Sequence, residues 1–310
     1  MTQPEQYVHQ PVMLEEVLEL LPTRTDGFYV DGTFGRGGHS RALLARLDAQ
    51  GRLVGIDRDP LAIAAGHALA QADNRFRIHA GRFDCLEQVV ADTGRPLDGV
   101  LLDLGVSSPQ LDDPARGFSF MREGPLDMRM DPTSGESAAE WLARAEEEDI
   151  ANVLYRYGEE RRSRAIARRI CAQRRERPLT TTTELAALIE SVLGRGVPGK
   201  HPATRSFQAI RIHVNQELAA LEAVLDQALQ CLAPGGRLVV ISFHSLEDRL
   251  VKLFMRDASG RRPQPRGLPL PPQPVLMKTL GKARQASDTE VAANARARSA
   301  VLRAAEKVVA

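Results

Sequence analysis

The sequence predicts an α/β protein, a parallel sheet with helices on both faces, interrupted by an inserted helical domain. Three observations carry this. Short apolar runs alternate with helical patterns through the first third of the chain; a charged stretch without strand signals follows; and a clear apolar run, "RLVVISF" (237–243), then resumes the strand pattern. Continuous apolar strands separated by helices imply a parallel sheet covered on both sides.

The elements follow in order. "GFYVD" (27–31) reads as a buried strand, and "HSRALLARL" (39–47) as a helix with Ala42, Leu43 and Leu47 at helical spacing. "GRLVGID" (51–57) is a second strand. "DPLAIAAGHALAQ" (59–71) is a second helix, with Asp59 as its cap and Pro60 in its first turn. "RFRIHA" (75–80) is a short third strand and "DGVLLDLG" (98–105) a fourth. Residues 105–135 have no sustained period, and 137–191 are helical and strongly charged. One long helix is expected over 202–236, stopped by Pro-Gly-Gly before the strand at 237–243. Residues 260–274 are Pro-rich and read as extended loop, and a last strand is expected near Ser299–Arg303. This places an inserted domain at 112–205 and builds the α/β domain from 1–111 and 206–310.

Composition bounds the function. The 310 residues are 43% apolar and 26% charged, ordinary for a globular protein. A net charge of +1 means that any basic surface must be local. Cys85, Cys171 and Cys231 are few and scattered, so neither a disulfide framework nor a metal spacing is expected, and a reducing cytoplasm is. The opening "MTQPEQYVHQPVM" has neither the basic nor the apolar region of a signal peptide, and no apolar run is long enough to span a membrane.

The chemistry begins at "VDGTFGRGGHS" (30–40), with four glycines after the first strand. A phosphate loop would need a lysine, which is absent. A dinucleotide fingerprint fits Gly35 and Gly37, but its third glycine falls on Ser40. Asp31, Thr33, Gly35 and Gly37 match better the acidic-then-alternate-glycine frame of many S-adenosylmethionine-dependent methyltransferases. In that frame, side chains at Gly35 or Gly37 would hold the backbone away from the ligand, and the N–H groups near Gly38 and His39 would meet its carboxylate. Asp57 ends the second strand, where a carboxylate accepts both ribose hydroxyls of an adenosine. It serves a nicotinamide dinucleotide equally well, so an oxidoreductase stays open on these residues. Phe83 is placed either to pack on an adenine face or to join the core.

Longer strings are more specific. "GVLLDLGVSSPQLDD" (99–113), "RGFSFMREGPLDMRMDP" (116–132), "HPATRSFQAIRIHVNQEL" (201–218), "ISFHSLEDR" (241–249) and "ARARSAVLR" (295–303) closely resemble the bacterial 16S rRNA (cytosine-N4)-methyltransferase family, as does "DGTFGRGGHS". The resemblance runs from about Tyr7 to Ala305. It implies a Rossmann-like methyltransferase domain with a helical insert, and methyl transfer from S-adenosylmethionine to the exocyclic amine of a cytidine in the decoding region of 16S rRNA. Carried over motif by motif, it implies a cofactor site at Gly37, Gly38, His39, Asp57, Phe83, Asp103 and Gln110. The substrate would be 16S rRNA within the small ribosomal subunit, with no required metal.

Cytosine N4 is a weak nucleophile, because its lone pair is delocalised into the ring. The site must align the amine with the sulfonium methyl and supply acceptors for its protons. Many amino-methyltransferases place Asp/Asn-Pro-Pro-aromatic after the fourth strand; this chain has Asp103-Leu104-Gly105-Val106. Asp103 is the expected catalytic group, with Ser107, Ser108 and His244 as weaker candidates. The missing motif also keeps open an RNA-binding assembly factor without catalysis. Cytosine-C5 methylation needs a cysteine nucleophile beside the base, often after the fourth or a later strand; Cys85 follows the third strand, Cys171 lies in the charged insert and Cys231 sits late on the long helix, so none suits. Ser245 and Asp248 have capping-box spacing, with His244 just before the cap.

For RNA, "YRYGEERRSRAIARRICAQRRERP" (155–178) offers nine arginines, Arg168 and Arg169 among them. On the expected long helix, Arg205, Gln208, Arg211 and Asn215 share one arc, opposite an apolar arc of Phe207, Ile210, Val214, Leu218 and Leu221. Arg261, Arg262 and Arg266 in the Pro-rich loop are candidates for further phosphate contacts. Asp127 and Asp131 lack the companions of a metal site and read as loop residues.

Overall fold

The computed structural model describes residues 11–196, 201–263 and 273–308. The chain divides into two compact units, one of 1–105 with 219–310 and one of 106–218.

The first unit holds one mixed sheet. Its strands are β1 (Phe28–Asp31), β2 (Arg52–Asp57), β3 (Phe76–Ala80), β4 (Leu97–Asp103), β5 (Leu232–Ser242), β6 (Met277–Thr279), β7 (Arg284–Gln285) and β8 (Val301–Lys307). The order is β3-β2-β1-β4-β5-β8-β6, with β7 also on β8. β1 to β5 run parallel, and β8 lies antiparallel to β5, with Val239 opposite Ala304. All four residues of β1 are buried, as expected of a strand with helices on both sides. The carboxyl ends of β1, β2 and β4 carry Asp31, Asp57 and Asp103. This is the α/β sheet expected from the alternating pattern and the Rossmann-like fold that the family resemblance implies, and ligands of such sheets sit beyond these strand ends.

Helices α1 (Leu14–Leu20), α2 (Gly38–Leu44), α3 (Pro60–Ala72) and α4 (Leu86–Thr93) belong to this unit. Asp59 caps α3 by accepting from the Leu61 N–H, with Pro60 at the first helical position. In the second unit lie α5 (Ser108–Asp112), α6 (Ala138–Arg144), α7 (Glu147–Gly158), α8 (Ser163–Glu176), α9 (Thr182–Leu193) and α10 (Thr204–Asn215). Its core gathers Trp141, Ile150, Leu154, Ile166, Ile170, Leu185 and Ile210. Each such side chain contributes roughly 1.5–3 kcal/mol over leaving it exposed.

The single long helix expected over 202–236 is two helices. After α10, Gln216 turns left-handed (φ 52°) and its N–H closes on the His213 carbonyl; α11 (Glu217–Cys231) then starts afresh. The apolar period continues across the break, which hides it from the sequence. α12 (Ser245–Ala258) and α13 (Asp288–Ala293) complete the first unit. The last strand runs later than expected, and β6 and β7 are too short to announce themselves. No helix among the described residues is long and apolar enough to cross a membrane.

Candidate functional site

The turn leaving β1 is fixed by its own polar groups. Asp31 is 1% exposed; its carboxylate accepts from the Ser40 hydroxyl at 2.7 Å and the Thr33 N–H at 3.2 Å. Burial pushes that carboxyl above the usual carboxylate range. Ser40 is where a dinucleotide fingerprint would carry glycine, and its hydroxyl is the partner that buried Asp31 requires. Thr33 Oγ1 accepts from the Asp103 N–H at 2.6 Å, so the β1 turn is tied to the end of β4. The Gly35 N–H donates to Asp57 at 2.8 Å, tying it to the end of β2 as well. Asp57 also accepts from the Asp59 N–H at 2.9 Å, and burial raises its pKa.

The glycines divide by role. Gly37 is left-handed at φ 73°, and a Cβ there would lie 2.6 Å from the Phe34 ring. A Cβ on Gly38 would run into the Pro11 ring. Gly35 is also left-handed (φ 56°), but its Cβ would approach nothing closer than the Thr33 carbonyl at 3.9 Å. Gly37 is therefore glycine because protein fills the space, which corrects the expectation that the space is kept for a ligand. Gly35 alone of the three faces open room.

His39, on α2, is 6% exposed, and its Nε2 lies 3.5 Å from Asp103 Oδ2. At that distance the two form a loose ion pair without a completed hydrogen bond. His39 Nδ1, His39 Nε2 and Asp103 Oδ1 are all buried without a hydrogen-bond partner. Burial alone would lower the imidazole pKa, but the Asp103 carboxylate, with Asp31 and Glu290 farther off, outweighs it and raises it. Unmet polar atoms of this kind are rare in folded proteins.

The remaining expected residues lie as follows. Phe83 sits in a short 3-10 turn after β3, partly buried against the core of Leu86 and Val89. Gln110 belongs to the second unit, where its side chain accepts from the Ser107 N–H at 2.9 Å across the first turn of α5; Ser108 opens that helix. His244 caps α12: its Nδ1 accepts from the Glu247 N–H, and Glu247 accepts from the Phe243 and His244 N–H groups. The expected Ser245–Asp248 box is thus shifted by one residue, because His244 is the last extended position (φ −142°). Asp248 is freed to take Arg303 of β8 in a two-pronged ion pair at 2.7 and 3.0 Å.

The proposed RNA arc of α10 is corrected. Asn215 is 2% exposed; it donates to the Met128 and Arg211 carbonyls and accepts from the Met130 N–H. Arg211 forms a two-pronged pair with Glu217 at 2.9 Å, and Gln208 donates to the Tyr157 carbonyl. Arg205 is exposed and donates to the Glu159 carbonyl at 3.3 Å. A polar arc on a helix can serve its own unit as readily as solvent; here all four residues bond within the unit, and only Arg205 is exposed as well. Arg168 and Arg169 on α8 are exposed. Arg261 reaches the Thr279 hydroxyl, Arg262 is exposed, and Arg266 lies outside the described residues. Asp127 pairs with Arg129, and Asp131 receives the hydroxyls of Thr133 and Ser134.

The MraW methylase family pattern matches residues 6–308. The chain belongs to the MraW methylase family. It is similar to "Ribosomal RNA small subunit methyltransferase H" of Alcanivorax borkumensis, 68% identical over 309 residues and covering 99% of each chain. The protein of that name from Chromohalobacter salexigens is 58% identical over 97% of this chain and 92% of its own. Among solved structures, it is similar to an rRNA methylase from Streptococcus thermophilus, with TM-score 0.42, 11% identity, and 96% and 94% of the two chains covered. The MraW match takes in both compact units, and a methylase family sets aside the nicotinamide oxidoreductase.

Proposed function

We propose that this MraW methylase transfers a methyl group from S-adenosylmethionine to the exocyclic N4 amine of a cytidine in the decoding region of 16S rRNA, in the bacterial cytoplasm. The relatives named for small-subunit rRNA supply the substrate class. The observation that carries the cofactor reading is the set of unmet buried atoms on His39 and Asp103, together with the open side of Gly35 in the turn that leads from β1 to α2. These residues fit the donor. Asp57 would accept its ribose hydroxyls, Gly35 would let the backbone come close, and His39 with Asp103 would meet its charged amino-acid end. Phe83, after β3, is the remaining member of the expected set in this unit.

Bound there, S-adenosylmethionine supplies an electrophilic methyl on sulfur. The chain's own part is positioning and proton acceptance. Asp103 offers a carboxylate at the mouth of the sheet, its side chain 25% exposed, to an N–H of the target amine. Accepting that hydrogen bond draws the lone pair out of ring conjugation and stabilises the charge as the N–C bond forms. The Thr33–Asp103 and Gly35–Asp57 bonds fix the frame in advance, so little reorganisation remains.

The test is transfer of labelled methyl from S-adenosylmethionine to small ribosomal subunits and, separately, to naked 16S rRNA, with nucleoside analysis. Label in N4-methylcytidine is expected. Label confined to 5-methylcytidine or to adenosines would overturn the reading, and no transfer to either substrate would favour a non-catalytic assembly factor.

A further inference from the structure

Once the α10 arc is spent internally, the cation-rich face left in the second unit lies on the end of α7, the turn after it, and α8. Arg156, Arg161, Arg162, Arg164, Arg169 and Arg175 are exposed. None of the six guanidinium groups makes a hydrogen bond or ion pair among the described residues. Other arginines of the unit are partnered: Arg129 with Asp127, Arg177 with Glu184, Arg211 with Glu217, and Arg174 with the Leu142 and Ala145 carbonyls. Even Arg168, amid the six, reaches Glu147 only at 3.8 Å.

The fold does not ask for this concentration. The opposite side of α8 supplies the packing, through buried Ile166, Ala167, Ile170 and Cys171. Like charges four residues apart on a helix, such as Arg164 and Arg168 of α8, cost a few tenths of a kcal/mol. The whole chain is nearly neutral, so the excess is local. Residues 155–178 hold nine arginines and no lysine. A planar guanidinium grips phosphate with two hydrogen bonds and stacks on bases, where an ammonium is a point charge. Tyr155, on the last turns of α7, is 63% exposed and offers a ring for stacking. A membrane-surface helix would need large apolar side chains beside its cations, and those of α8 are buried in the core.

We propose that the exposed arginine face of α7–α8, with Tyr155, is the surface on which RNA docks, and that the polar residues of α10 are not. This rests on the rRNA reading above and deepens it. The face binds phosphates along a strand, so it anchors the substrate by charge and leaves base choice to the methyl-transfer site.

The test uses the full chain and a labelled single-stranded 20-nucleotide RNA, with binding measured from 50 to 200 mM salt. Six phosphate contacts give a log–log slope near −4, from about −0.7 per contact on single strands. Replacing Arg161, Arg164 and Arg169 together by alanine is expected to flatten the slope by about 2 and to weaken binding at 50 mM salt by about tenfold or more. Arg205→Ala is the α10 control and is expected to leave the slope unchanged. Circular dichroism melting and calorimetric S-adenosylmethionine binding report folding and the donor site, and both are expected to match the unaltered protein. A triple variant with the unaltered slope and affinity would overturn the proposal. So would tight binding to vesicles carrying anionic lipid, lost in the triple variant, with RNA binding unaltered. If the unaltered protein binds RNA with the expected slope yet transfers no methyl group, the docking surface stands and the catalytic reading falls. If the triple variant methylates subunits with an unaltered KM, the reverse holds.

Discussion

Gly35 and Gly37 are two residues apart, both left-handed, and should fail in opposite ways when replaced by alanine. A left-handed alanine costs about 1–2 kcal/mol. At Gly35 that is the whole penalty, because the new methyl would meet nothing closer than 3.9 Å. At Gly37 the methyl would fall 2.6 Å from the Phe34 ring. That ring has nowhere to go. It is 3% exposed, lies 5.2 Å from the Phe76 ring, and its other edge already fills the space beside Gly55. Overpacking of this kind adds about 1–3 kcal/mol. Gly37→Ala should therefore lose about 2–5 kcal/mol and lower Tm by roughly 5–15 °C, and Gly35→Ala by no more than a few degrees for each of its 1–2 kcal/mol. Ligand binding should invert the order. Gly35→Ala puts a methyl on the open side of the loop and should weaken S-adenosylmethionine by about tenfold, or 1.4 kcal/mol. Gly37→Ala, measured well below its Tm, should bind more nearly normally. Scanning calorimetry and titration calorimetry on the two variants check this. Equal melting temperatures, or a Gly35→Ala protein with unaltered donor affinity, would refute the division of roles.

Three further outcomes follow from the geometry. In Asp103→Asn the His39 imidazole loses its raising carboxylate, so its NMR titration midpoint should fall; because a raised histidine pKa stabilises most below about pH 6.5, the stability gap between the two proteins should shrink as pH rises through the folded His39 pKa. Asn215→Ala removes the bonds to the Met128 carbonyl and the Met130 N–H and should cost about 2–4 kcal/mol in urea unfolding, with S-adenosylmethionine affinity unchanged. His244→Ala removes the α12 cap and should cost about 1 kcal/mol, whereas His244→Asn, still able to cap, should restore the stability.

Much of the fold was legible because buried parallel strands write themselves as apolar runs. β1, β2, β4 and the later part of β5 stand where the sequence places them, and Asp57 and Asp103 end strands as expected. The break at Gln216 was not legible, since no glycine or proline marks it and the apolar period runs through. The candidate site was legible as a set of residue types, but not in its internal wiring. Ser40 read as a defect in a fingerprint and proves to be the partner of Asp31. Asn215 read as an RNA contact and proves to hold a loop. His244 read as a neighbour of the cap and is the cap. Periodicity says which side of a helix is polar; it does not say whether that side meets water or a backbone carbonyl from elsewhere in the unit.

The pairing of β4 with β5 has a kinetic side. Gly99 aligns with Arg237 and Asp103 with Ile241, yet all of residues 106–218 lie between them along the chain. No hairpin or short crossover can set that register. Until β5 has been synthesised, β4 offers an edge of unpaired backbone groups on a strand whose Val100, Leu101 and Leu102 are apolar, which is a template for aggregation. The intervening unit has a core of its own, and once folded it would hold its two ends in place of a long, wandering loop. Its stability would then govern how fast the central strands of the sheet find each other. A core mutation in the helical unit, such as at Leu154 or Ile166, would be felt first as slow folding and poor soluble yield of the whole protein.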